Sequence, residues 1–187
     1  MAPRSILLAS VALICGLCNA DAAQPLGSSP DEVAKAYIAA RDVGNIDAAL
    51  AFFATDGSFQ LTGGKKFTTR DELRRLHELF VHEQVHTADL RTVSVKDHTV
   101  TLMNDVSTAW LTQFGFAGMP VDEIVLVDGN QIASVVAYYP LSSLLKMEQA
   151  CRDKPQVTVP TRPCGEVMPM LRAHTERLIA DGIAERE

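Results

Sequence analysis

Asp122 stands one step inside the apolar run "GMPVDEIVLVDGNQIASVVAYYP", Gly118 to Pro140, where a charge is expensive. Two readings follow. It is a solvated acid capping a strand end beside Glu123, or it is a carboxyl on the inner face of a strand together with Ile124 and Leu126. On an inner face, burial would favour the neutral form, which can donate a hydrogen bond to a ligand oxygen. Glu78, His82 and His86 recur at i, i+4 and i+8, so one helical face could offer all three to a metal. Their helix should end near Glu83, and the set faces away from Leu76 and Phe80. A solvated polar face is the stronger reading, and neither a metal nor another cofactor is expected. His77 and His98 read as surface or turn residues. Cys151 and Cys164 lack C-x-x-C spacing and a flanking histidine, and Pro155, Pro160 and Pro163 stiffen the segment between them. A structural disulfide is expected, closing a loop of a size worth about 3 kcal/mol in the chain-entropy model. Ser142 and Ser143 have no G-x-S-x-G context, so no hydrolase elbow is present.

The elements that must position these groups are well punctuated. In "SSPDEVAKAYIAARDVG", Ser29 and Glu32 form a capping box, Pro30 suits the first turn, and Gly44 closes the helix. Asn45 can cap a short second helix whose Ala49, Leu50 and Phe53 face inward. "DGSFQLTGG" reads as a turn, a short strand around Phe59 and Leu61, and a glycine break. Thr69 and Glu72 form another capping box ahead of a helix with Leu73, Leu76 and Phe80 at helical spacing. After His86 the period changes to that of strands: "TADLRTVSV", "HTVTLMND", "STAWLTQFGF", "DEIVLVD" and "QIASVVAYY". Asp128-Gly129-Asn130 and Lys96-Asp97-His98 mark hairpins. "LSSLLKMEQA" reads as a helix, and Val167, Leu171, His174 and Leu178 line one side of a last one.

The chain has 187 residues, 47% hydrophobic and 21% charged, enough for one domain with a real core. Its formal charge is −6 and it has no basic cluster, which argues against nucleic acid as a partner. Residues 1–23 read as a signal peptide: Arg4, an apolar run from Ile6 to Leu17, then small residues with Ala20-Asp21-Ala22 as a cleavage site. That run falls short of the roughly 20 residues that span a bilayer. Ile14 and Leu17 are too bulky to precede a lipidated Cys15 or Cys18. An exported protein, periplasmic or secreted and free of the membrane after cleavage, is expected.

The capped helix with "VAKAYIAARDVGNIDAALAFFATDGSF", the "RDELRRLHELF" helix and the closing "DEIVLVDGNQIASVVAYY" hairpin resemble the nuclear transport factor 2-like superfamily, in its SnoaL-like and ketosteroid-isomerase-like branch. The resemblance covers roughly Ser29 to Pro140. It implies an α+β cone, a curved antiparallel sheet with three N-terminal helices and an apolar pocket in its mouth. The fold carries isomerases, cyclases, dehydratases and non-catalytic binders alike. Beside ketosteroid isomerase, Tyr37 falls where that family keeps its oxyanion-hole tyrosine, and Asp122 where it keeps a neutral carboxylic acid as second donor. The aspartate base of that family aligns near Gln60 and Leu61, which cannot serve, and Asp56 lies too early. A steroid isomerase's proton shuttle is therefore not implied.

The expectation that follows is a cone domain over residues 29–140 and a helical C-terminal tail over 141–187. The cone would bind a small, largely apolar, oxygen-containing molecule. Tyr37 and Asp122 would address the oxygen, while Phe53, Phe59, Leu61, Trp110, Ile124 and Tyr139 form the walls. Against this stands a non-catalytic accessory domain whose cone is filled by its own side chains, Tyr37 being a core tyrosine. "WLTQFGFAGMP" would be core, pocket wall or a homodimer contact.

Overall fold

Ser29 and Thr69 start two 13-residue helices in the same way. Each side chain accepts the backbone N–H three residues on, and the glutamate there, Glu32 or Glu72, returns the favour to the cap. These are α1 (Pro30–Asp42) and α3 (Arg70–His82), and between them lies the short α2 (Ile46–Ala51), capped by Asn45. The computed structural model of the chain describes residues 28–184, so the signal peptide expected at 1–23 lies outside the described residues.

The strands are β1 (Phe53–Gln60), β2 (Lys66–Phe67), β3 (His86–Lys96), β4 (Thr99–Ser107), β5 (Met119–Asp128) and β6 (Gln131–Tyr138). They form one curved six-stranded sheet in the order β2-β1-β6-β5-β4-β3. Both expected hairpins are present, with Asp97 (φ 53°) and Gly129 (φ 59°) in the left-handed region that tight turns demand. The sheet is mixed rather than purely antiparallel: β1 runs parallel to β6, pairing Phe59 with Val135. The connection that parallel neighbours require is supplied by β2, α3, β3, β4, a short helix and β5, which all intervene between β1 and β6.

"STAWLTQFGF" is not a strand. Thr108 caps a short helix, α4 (Ala109–Phe114), and Gly115 ends it at φ 93°. Its aromatic and branched residues suit either structure. Burial of Trp110, Leu111 and Phe114 against the core selects the helical spacing. Asp56 lies exposed within β1 rather than in a turn ahead of it.

The core fills the concave side of the sheet, where Val100, Leu102, Val121, Val125 and Val135 meet Tyr37, Ile38, Leu50, Leu73 and Leu76 of the helices. The tail forms α5 (Leu141–Asp153) and α6 (Cys164–Ala180), joined by the Cys151–Cys164 disulfide across a Cα–Cα distance of 5.8 Å. The C-terminal half of α6 covers part of the opposite sheet face, packing Leu178 and Ile179 with Tyr138, Ile124 and Val136. Among the described residues, no helix is long and apolar enough to cross a membrane.

Candidate functional site

Val33, Tyr37 and Arg41 stand four residues apart on the inward face of α1, so the apolar stripe ends in a cation. Arg41 is only 6% exposed, and a buried charge requires a partner. That partner is Glu123, 2% exposed on β5. Arg41 Nη1 donates to both carboxylate oxygens, at 3.0 and 3.1 Å, and Nη2 donates to Thr87 Oγ1 at 2.8 Å. Asn104 Nδ2 adds a third bond to Glu123, at 3.3 Å. Asp42 lies 3.6 Å from Arg41 Nε and takes hydrogen bonds from the Thr87 backbone and hydroxyl, both at 3.0 Å. Burial opposes the charge on Arg41, but Glu123, Tyr37 and Asp42 outweigh it, and the guanidinium pKa is raised.

Arg41 and Glu123 both line a cavity of about 250 Å³ that opens to solvent. Phe59, Phe80, Trp110, Val121, Ala137 and Tyr139 form much of its wall, while Thr62, Lys65 and Glu83 stand among the polar lining. Tyr139 is buried, and its hydroxyl makes no hydrogen bond to the protein among the described residues; burial pushes its pKa up, so it is a neutral donor and acceptor.

The residues expected at the site divide. Phe59, Leu61, Trp110 and Tyr139 line the cavity. Phe53 and Ile124 do not: Phe53 packs edge-on against Tyr37 at 5.2 Å, and Ile124 joins the cluster on the far sheet face. Asp122 does not face the cavity either. Along β5, Val121, Glu123, Val125 and Val127 are buried on the concave side, and Glu123 lies opposite Leu102 on β4 and Ala137 on β6. Asp122 therefore points to the other face, opposite Met103 and Tyr138. Ile124 and Leu126 do accompany it, as expected, but on the convex side. Alternation alone could not assign the faces, because α6 makes the convex side of this strand apolar as well.

Tyr37 is fully buried and engaged elsewhere. His77 Nδ1 lies 2.7 Å from the Leu73 carbonyl, which can only accept, so the proton is on Nδ1. Nε2 is then the acceptor, and the Tyr37 hydroxyl donates to it at 3.2 Å. Burial raises the pKa of Tyr37, and burial lowers that of His77 to about 4, which keeps both neutral. His77, 2% exposed, is thus a core residue and not the surface histidine its place in the sequence suggested. Glu78, His82 and His86 are exposed, and among the described residues no group of three or more potential ligands is placed to hold a metal ion. The signal for Arg41 and Glu123 was present in the sequence: a cation continuing the Val33–Tyr37 stripe implies a buried acid, and two adjacent acids in one strand place one of them on each face.

The chain has the nuclear transport factor 2-like cone fold. A polyketide cyclase-like protein of Pseudomonas putida superposes with a TM-score of 0.52 and 20% identity, over 63% of this chain and 96% of its own. The epoxide hydrolase/cyclase-like enzyme SalBIII, of pyran ring formation in the polyether salinomycin, gives 0.53 and 13%, over 61% and 92%. A ketosteroid isomerase-like protein of Kribbella flavida gives 0.50 and 12%, over 59% and 77%. At these identities the likeness is one of fold. Neither a protein-family model nor a curated protein matches the sequence.

Proposed function

We propose that the cone binds a small, largely apolar molecule that carries a hydroxyl or carbonyl oxygen. The observation that carries this reading is the cavity itself: an open, mostly apolar space with a buried ion pair and an unspent phenol in its lining. An apolar cavity of about 150 Å³ accommodates benzene. The larger space here suits an apolar body somewhat larger than that, with one polar substituent. Tyr139 would donate to a carbonyl or accept from a hydroxyl.

The ion pair favours binding over proton abstraction. Glu123 already accepts two hydrogen bonds from Arg41 and one from Asn104, so its carboxylate oxygens are committed to protein partners rather than to a substrate proton. Gln60 and Leu61, where the resemblance would seek a base, supply none. If the site turns a substrate over, its contribution is stabilisation of an enolate or alkoxide oxygen near Arg41, as an isomerase, cyclase or dehydratase of this fold would need. The open mouth supports a ligand site over a cone filled by its own side chains.

Export completes the reading. It is supported by the disulfide, which persists in oxidising compartments, and by the signal-like order of residues 1–23.

The test is mass spectrometry of small molecules that co-purify with the folded chain, paired with a titration of 1-adamantanol, an apolar cage bearing one hydroxyl. An oxygen-bearing apolar compound retained by the wild type and depleted in Tyr139→Phe is the expected result. An empty protein that also ignores 1-adamantanol would overturn the proposal.

A further inference from the structure

The cavity is not closed by the cone alone. Val159, Pro160, Val167, Met170 and Leu171, all from the C-terminal tail, form part of its lining. We infer that this tail is a wall of the binding site that sets the size of ligand accepted, and that the Cys151–Cys164 disulfide holds the wall in place. The inference rests on the ligand-binding reading above.

Two pieces of the tail reach the cavity. The first is the turn between the cysteines. Val159 N donates to the Arg162 carbonyl at 2.7 Å and Cys164 N to the Val157 carbonyl at 3.1 Å, with Thr158 bridged to Pro163. Val157 and Val159 are thereby driven into the core. The second is the opening of α6, which carries Val167, Met170 and Leu171. This end is poorly held by its own backbone. Pro163 supplies no side-chain cap, and Pro169 removes an N–H from within the helix. What pins it is Cys164, the first residue of α6, tied to Cys151 near the end of α5.

The tail is also anchored on either side of this wall. Lys154 Nζ donates to the carbonyls of Gln113 and Phe114, at 3.1 and 3.2 Å, where α4 ends. Arg172 grips Glu148 through two bonds of 2.7 Å, and Thr175 Oγ1 donates to the Tyr139 carbonyl at 2.9 Å. Opening the disulfide therefore loosens the wall between these anchors while the later part of α6 and the cone stay in place. A dithiol reductant does this with balanced chemistry: it is oxidised to its own disulfide, and Cys151 and Cys164 take up two electrons and two protons as thiols. Because a ligand that needs the wall favours the bridged form, ligand and disulfide protect each other to the same degree.

Trp110, the single tryptophan of the chain, lines the cavity, so its fluorescence reports occupancy directly. The oxidised wild type is titrated with 1-adamantanol and with the bulkier diamantanol, alongside Cys151→Ser/Cys164→Ser and Met170→Ala. Far-UV circular dichroism follows the fold. The double serine variant should bind 1-adamantanol about tenfold more weakly, the loss expected when roughly two methylene contacts are removed. Met170 is 46% exposed, so Met170→Ala keeps fold and disulfide. It should shift the preference toward diamantanol. Equal affinity in a folded double variant would overturn the role of the disulfide. An unchanged preference in Met170→Ala would overturn the wall, and it decides the matter if the double variant fails to fold. Should the oxidised wild type bind neither alcohol, the ligand site itself is refuted and this inference falls with it.

Discussion

Arg41 on the first helix and Glu123 on the fifth strand, 82 positions apart in sequence, meet at 3.0 Å in a site that water barely reaches. Each charge is tolerable only because the other is there. Desolvation offsets much of the attraction in such a pair, so its value to stability is mostly the cost of breaking it.

That asymmetry makes the pair measurable. Arg41→Met alone, or Glu123→Leu alone, should destabilise the fold by about 3–5 kcal/mol, whereas the double variant should recover most of the loss. Urea denaturation of the three variants checks this. Additive losses would show that the two side chains do not act as a unit.

The neutral, buried His77 should make stability depend on pH. Burial holds its pKa at about 4 in the folded protein, against about 6.5 when unfolded. Between those values the unfolded chain binds a proton that the folded chain refuses. Stability is therefore fully retained above pH 6.5 and falls as pH drops towards about 4, by up to about 3 kcal/mol. Denaturation midpoints between pH 7 and 4 should show a shallower slope in His77→Gln. An identical slope would assign the effect to other groups.

Tyr139 and Asp122 should separate binding from fold. Tyr139→Phe removes a hydroxyl with no protein partner, so stability should change by less than about 0.5 kcal/mol. Affinity for 1-adamantanol should fall about fivefold, the worth of one neutral hydrogen bond. Asp122→Leu should leave that affinity untouched, because its side chain lies on the convex face. Fluorescence titration of both variants distinguishes them.

Gly57, within β1, has the closest backbone surroundings among the described glycines. A Cβ there would sit 2.9 Å from the carbonyl oxygens of both Ala54 and Ile132, neither of which can move cheaply. Gly57→Ala should cost about 2 kcal/mol by overpacking, read as a lower thermal midpoint.

Local chemistry made much of this protein legible without coordinates. Ser29 with Glu32, Thr69 with Glu72, and the turns at Asp97 and Gly129 act within a few residues, so capping and turn rules identified α1, α3 and the hairpins. The cysteine pairing was equally local in its logic. What tertiary structure decided was anything that depends on which partner covers a face. α4 is a helix because the core accepts Trp110, Leu111 and Phe114 together. Glu123 rather than Asp122 enters the cone because α6 coats the convex side and Arg41 waits on the concave one. His77 is buried because Tyr37 and the Leu73 carbonyl satisfy it. Alternating hydrophobicity tells two faces apart only when one of them is wet, and here the helices cover one face while the chain's own tail covers part of the other.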